Sequence, residues 1–271
     1  MSLNVFNNKA NLLFIVLAGF FIANTLIAEF IGVKIFSLEK TLGFEPLNLS
    51  LFGIENLSFQ LTAGVLLWPV VFVMTDIIND YYGKRGVQFL SILTAVLIAY
   101  AFLMLGFSIK TVPADWWTTS HIDPTLTDAQ KQTLLNEVGN YNSAYKVVLG
   151  QGQSIIVASL IAFLIGQLLD AYIFNQIKKK TGNSKVWLRA TLSTFVSQFV
   201  DSFVVLFVAF KLAGNWSWAQ LFAVGTMNYI YKFLTAILLI PLVEGVHKLI
   251  ESYLGKELSE EMRSQAIEES L

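Results

Sequence analysis

Asp76 sits in the middle of an otherwise apolar stretch running from Ala63 to Gly83. An ionised carboxylate inside hydrocarbon costs roughly 2.5–3.5 kcal/mol even on the gentler insertion scales, so it must face a polar interior, a partner or a ligand. Asn79 and Asp80 follow at steps of three and four, which places all three on one face of a helix, with Thr75 beside them. Similar stripes recur. Thr191, Thr194, Gln198, Asp201 and Ser202 form one, and Asn228, Tyr231, Lys232 and Thr235 another. Asn24, Thr25 and Glu29 form a shorter set near the start of the chain, and Gln167 and Asp170 a pair further on. Carboxylates accept, amides both donate and accept, and a lysine donates. Together they are equipped to hold a polar solute inside a membrane.

Each group has a plainer reading. Asp80 reads best as a helix end whose acid meets water, while Asp76, one turn deeper, reads as ligand-facing. Gln198 and Asp201 read as functional, the competing role being interhelical hydrogen bonding. Lys232 lies too deep to reach the interface easily and should pair with a carboxylate, either as a structural ion pair or as a cation that meets a ligand carbonyl. Glu29 and Asp170 lie nearer an interface, where solvated helix ends serve equally well. Pro69, two turns before Asp76, is expected to kink its helix and free a carbonyl.

The elements that must position these residues are transmembrane helices. The chain has 271 residues, 55% hydrophobic and only 14% charged, with a mean hydropathy of +0.62. Soluble domains carry about 25% charged residues. The apolar residues come in blocks of about 20, the length that crosses a bilayer as a helix. Six spans are expected, at about 11–36, 63–82, 87–109, 147–174, 186–210 and 218–243, within one membrane domain over residues 1–255. The fold class is an all-α integral membrane protein. Lys84 and Arg85, then Lys178, Lys179, Lys180, Lys185 and Arg189, then Lys248, Lys256 and Arg263 fall on one side of this arrangement. That side is cytoplasmic by the positive-inside rule, which puts both termini inside. The opening apolar run is too long for a cleavable signal peptide.

Two outer connections carry structure of their own. Residues 47–62 alternate apolar and polar around Gly53, the period of a β-hairpin. Thr127-Asp-Ala-Gln130 is a capping box that opens a short helix to about Val138. The polar tail, residues 256–271, is expected to be frayed or a solvated extension. The first and last three spans form a weak 3+3 echo of opposite orientation, in which Glu29 corresponds to Asp170 and Asp76 to Asp201; such inverted repeats are common in transporters.

Several function classes fall away. There is no cysteine, which removes disulfides and thiolate chemistry. His121 and His247 are the only histidines and have no metal-ligand spacing, and no nucleotide-binding loop or hydrolase motif is present. No cofactor and no enzymatic activity are expected. A net charge of −1 offers no patch for nucleic acid.

The stretch Thr75-Asp-Ile-Ile-Asn-Asp-Tyr-Tyr-Gly-Lys-Arg85 resembles the signature of the queuosine precursor transporter family, six-span bacterial proteins once labelled putative vitamin uptake transporters. Asn24 through Glu29, Ser159 through Asp170, Arg189 through Ser202, and Lys232 ahead of Ile240-Pro241 fit as well, so the resemblance covers the chain from about Leu12 to Val246. Asp80 departs from it, standing where the family is expected to have glutamate. The resemblance implies uptake through the inner membrane of 7-cyano- or 7-aminomethyl-7-deazaguanine, salvaged for queuosine in tRNA. The alternative is a membrane substrate-binding subunit served by a separate ATPase. A guanine-like edge presents N1–H beside an exocyclic amine, which one carboxylate can accept together. Asp76 or Asp201 is expected to take that edge. Gln198, Asn79 or Asn228 takes the remaining groups, and Tyr81, Tyr82, Phe199, Tyr229 or Tyr231 stacks on the ring. The other partners expected are the lipid bilayer and a second copy of the chain.

Overall fold

The computed structural model describes residues 8–181, 186–212 and 216–268. Helix α1, Lys9–Ile31, begins where the Asn8 side chain accepts from the backbone N–H groups of Ala10 and Asn11. It stops five residues short of the expected Phe36, because Gly32 ends it and residues 35–37 are drawn into a sheet. That strand, β1 (Ile35–Ser37), leads into the single turn α2 (Leu38–Thr41). The expected hairpin follows as β2 (Leu49–Leu51) and β3 (Ile54–Leu57), paired antiparallel. Phe52 (φ 53°) and Gly53 (φ 78°) form its two-residue turn with positive φ at both positions, the geometry whose twist suits tightly joined strands. Strand β4, Gln60–Thr62, returns to pair with β1, with Phe36 opposite Leu61.

Helix α3, Trp68–Lys110, has 43 residues and would run about 64 Å if straight, twice the hydrocarbon thickness. It is not straight. Gly83 leaves helical geometry at φ 68°, ψ −177°, a conformation a side chain would strain. The neighbours of α1 reveal a reversal there. Before Gly83, a Cβ on Gly64 would come within 2.7 Å of the Ala28 carbonyl, and the Tyr82 hydroxyl donates to the Ala10 carbonyl at 2.7 Å. After Gly83, Phe102 stacks on Phe30 with ring centroids 5.2 Å apart. The first leg therefore descends α1 and the second climbs it. Pro69 does not kink this helix as expected. It lies in the first turn, where a missing N–H costs nothing.

The capping box at Thr127 and Gln130 starts α4, Asp128–Val138, as its spacing indicates. Helix α5, Tyr141–Thr181, lies against both legs of α3, and α6, Val186–Leu206, lies against α5. A π-helical turn at Phe207–Leu212 closes α6. Helix α7, Trp218–Leu238, opens on the capping box of Ser217 and Gln220. It ends before the expected Val243, since Pro241 opens a new helix, α8, Ile240–Leu254. The tail is not a solvated extension. Gly255 (φ 88°) turns the chain back into α9, Lys256–Glu268, whose Ser259, Met262 and Ala266 are buried against α3.

Residues 71–81, in the first leg of α3, are buried on every face, and the core gathers around them from Phe21, Leu90, Phe163 and Phe174. Phe20, Phe89, Leu103 and Phe107 point outward from α1 and α3, as lipid-facing surfaces should. Five helical stretches among the described residues are long and apolar enough to cross a membrane, one of them the bipartite α3. The chain is an all-α multi-pass membrane protein with a small β element.

Candidate functional site

The first leg of α3, the cavity-facing side of α6, the end of α7 and the start of α8 enclose a cavity of about 570 Å³, counting its open mouth. The wall has the usual character of small-molecule sites, largely apolar with a few polar groups. Trp68, Pro69 and Phe72 form its apolar side. Asp76, Thr191, Thr194, Gln198 and Lys232 supply the polar atoms. Three residues expected to bind a solute, Asp76, Gln198 and Lys232, are thus brought together from three helices.

Their environments differ. Asp76 is 3% exposed, on the fully buried leg of α3. Gln198 is also 3% exposed, and its Nε2 has no hydrogen-bond partner among the described residues. A buried amide donor left unpaired costs about 1–3 kcal/mol, so its presence in a cavity wall calls for an acceptor. Lys232 Nζ lies 2.5 Å from Asp201 Oδ2, the carboxylate partner its depth requires. Asp201 stands behind Lys232 rather than in the wall. The pair keeps its charges balanced while a lysine N–H remains able to point into the cavity.

The other expected residues go elsewhere. Asn79 is fully buried between α3 and α5, where Nδ2 donates to the Ala171 carbonyl at 3.2 Å and Oδ1 accepts from Asn175 at 3.0 Å. Gln167 accepts from Thr75 at 2.7 Å across the same seam. Glu29 accepts from Ser159 at 2.6 Å, joining α1 to α5, and Asp170 accepts from Ser197 at 2.9 Å, joining α5 to α6. Asn24 donates back to Phe20 in its own helix. Asn228 is half-buried on α7, outside the cavity wall. The tyrosines expected to stack on a solute do not line the cavity either. Tyr81 packs on His247, Tyr82 on Phe14, and Tyr229 on the half-exposed Phe199, leaving Trp68 and Phe72 as the aromatic wall.

Asp80 does not meet water. It is fully buried, with Lys178 Nζ 2.9 Å and Arg263 Nε 2.9 Å from its carboxylate oxygens and His247 Nδ1 at 3.7 Å. Lys178 and Arg263 had read as a loop charge and a tail charge. One signal could have marked Lys178: it continues the steps Gln167, Ala171, Asn175, the face of α5 that meets α3. Ser193 and Ser197, the hydroxyl partners of Asp170, carry no comparable signal, since serine is common in any membrane helix interface.

Several known proteins resemble this chain. A protein of Bacillus subtilis (strain 168) named "Probable queuosine precursor transporter" is 26% identical over 202 residues, 73% of this chain and 76% of that one. One of Haemophilus influenzae with the same name is 26% identical over 209 residues, 74% of each. The "Queuosine precursor transporter" of Escherichia coli (strain K12) is 22% identical over 221 residues, 80% of this chain and 85% of that one. No solved structure gives a significant match. All three of these relatives are named as transporters. The family model described as "Putative vitamin uptake transporter" matches residues 62–246, well over half of the chain and every residue that lines the cavity, and the chain belongs to that family.

Proposed function

We propose that this protein carries a queuosine precursor, 7-cyano- or 7-aminomethyl-7-deazaguanine, inward across the bacterial cytoplasmic membrane, and binds it in the Asp76–Gln198–Lys232 cavity. The observation that carries this reading is the meeting of a carboxylate, an unpaired amide donor and a lysine in the wall of one mostly apolar cavity. Asp76 accepts the N1–H and exocyclic amine of the guanine-like edge together, as a carboxylate accepts an arginine fork. Gln198 Nε2 donates to the O6 carbonyl, with Lys232 next to it. Trp68 and Phe72 offer ring faces to the flat heterocycle. The names of the relatives support the cargo class.

In this reading the polypeptide crosses the bilayer six times, because the two legs of α3 run in opposite directions from Gly83, and the two halves of three crossings form the inverted pair. Lys9, Lys84, Lys178 and Arg263 gather at one end of the molecule: Lys9 donates to the Tyr253 carbonyl at 2.8 Å, and Lys84 lies over the Tyr172 ring at 5.4 Å. That end is cytoplasmic by the positive-inside rule, so both termini are cytoplasmic.

The test is uptake of labelled 7-cyano-7-deazaguanine into proteoliposomes containing only this protein. Saturable uptake is expected, competed by guanine-edged analogues and not by those lacking the exocyclic amine, because a site built around an edge rejects molecules without it. Equal competition by both classes would refute the assignment of Asp76 to that edge.

A further inference from the structure

Among the described residues, Asp170 is the one fully buried carboxylate that the cavity does not use and no cation balances. Its exposure is 0%. The hydroxyls of Ser193 and Ser197 are its partners, Ser197 donating to Oδ1 at 2.9 Å, while Oδ2 has no hydrogen-bond partner among the described residues. No lysine, arginine or histidine among them lies within 4.0 Å of it. The charged side chains described on the surrounding helices are otherwise engaged. Lys178 on α5 and Arg263 on α9 face Asp80 of α3, and Lys232 on α7 holds Asp201 of α6. Glu29 on α1 binds Ser159, Asp76 of α3 lines the cavity, and Arg189 lies one turn before Ser193 in the α6 sequence.

We propose that Asp170 is a proton-binding site that couples solute movement to the proton gradient, one proton travelling inward with each solute. The proposal rests on the transport reading above. A carboxylate this buried, met by two hydroxyls and by no cation among the described residues, is costly to keep ionised, and in this proposal it holds its proton while the seam is closed. Helix α6 links it to the solute. Thr191, Thr194 and Gln198 of α6 line the cavity, and Ser193 and Ser197 of the same helix face Asp170. Any displacement of α6 that opens the cavity to one side also moves the partners of the acid. The carboxylate takes a proton from water when the α5–α6 seam opens outward. The neutral acid persists while the seam is closed, and its O–H bond breaks to water on the cytoplasmic side. Among the described residues the site provides too few oxygen ligands for Ca²⁺ or Mg²⁺, which take six or more.

Two measurements test this. The first is uptake of labelled 7-cyano-7-deazaguanine into proteoliposomes under an inward proton gradient. One pH unit should drive about tenfold accumulation for one proton per neutral solute. Asp170→Asn should still exchange labelled for unlabelled solute yet lose the accumulation, falling to onefold. Wild-type uptake that ignores the proton gradient, or follows a sodium gradient instead, would overturn the proposal and leave the transport reading intact. The second needs no transport: infrared spectra of protein carrying 13C-labelled aspartate, recorded at neutral pH. A protonated carboxyl band is expected that disappears in Asp170→Asn and moves to higher wavenumber in Ser197→Ala, where the acid loses a donor to its Oδ1. Absence of that band overturns the proposal even if no cargo is transported. The Ser197 variant assigns the band if the Asp170 variant fails to fold.

Discussion

Replacing Asp80 by asparagine removes the acid from a cluster in which its carboxylate is 0% exposed and the facing Lys178 side chain 1% exposed. Two cations, Lys178 and Arg263, are then left facing a neutral amide in the protein interior. Breaking a buried pair from one side typically costs about 3–5 kcal/mol, because the stranded charge has lost its solvent and its partner. For a chain of this size that corresponds to a fall in melting temperature of roughly 6–20 °C. Lys178→Met should be milder. Asp80 keeps Arg263, and the loss is confined to the Lys178 bonds, including the 2.6 Å hydrogen bond to the Asp80 carbonyl, at about 1–3 kcal/mol. The double variant Asp80→Asn/Lys178→Met should recover part of the loss, since one stranded cation goes with it. The assay is intrinsic-fluorescence melting of the purified protein in one detergent, with limited proteolysis to read whether α9 remains docked. Asp80→Asn melting within about 2 °C of wild type, with α9 still protected, would refute the argument that this cluster holds the end of the molecule together.

In the cavity, Asp76→Asn keeps the shape but can no longer accept two donors. It should weaken solute binding by about 10–150-fold, the worth of one charged hydrogen bond, measured by competition binding; unchanged affinity would remove Asp76 from the site. Gln198→Leu should melt at or above the wild-type temperature, because it deletes an unpaired buried donor, and should lose affinity all the same; lower stability with normal affinity would show that the amide is structural. Lys232→Met strands Asp201 and should lower stability, whereas Lys232→Met/Asp201→Asn should recover most of it, a pattern that melting curves of the four proteins can read. At the small β element, partial burial pushes the Glu39 carboxyl up. The Phe59 N–H at 2.8 Å and the Ser37 hydroxyl outweigh that and hold it below the usual carboxylate range. A depressed acid stabilises the fold above its ordinary range and loses the contribution as pH falls through its folded value. Protection of the Phe59 amide, its exchange rate relative to the intrinsic rate at each pH, should therefore fall in acid in the wild type and stay level in Glu39→Gln.

Local rules made much of the architecture legible. The capping box at Thr127 and Gln130 needs four residues, and the alternation around Gly53 needs only a period of two. The ends of helices were less visible where a distant element decides them. Residues 35–37 are apolar enough to prolong α1, but they pair with residues 60–62, and nothing local announces that partner. Pro69 and Pro241 were both read inside long spans, and both turned out to begin helices. Hydropathy alone does not separate a proline that kinks a span from one that starts a new one. The polar tail carried enough charge to look solvated, yet Ser259, Met262 and Ala266 at steps of three and four make one narrow edge that α3 covers.

The candidate site divides for a physical reason. A helix at a membrane protein's surface has one interior face, and every polar residue on it converges on one place. The first leg of α3 is buried all round, so its polar residues meet a different neighbour in each direction: Thr75 and Asn79 meet α5, Asp80 meets α5 and α9, and Asp76 alone meets the cavity beside α6 and α7. Spacing identifies residues on a shared side of a helix, but not how many neighbours divide that side. The same holds for α6, where Gln198 serves the cavity and the adjacent Ser197 serves Asp170. A polar stripe in a membrane sequence therefore marks where charge must be answered. Which stripe residues meet solute and which meet protein is decided by how many helices surround the one that carries them.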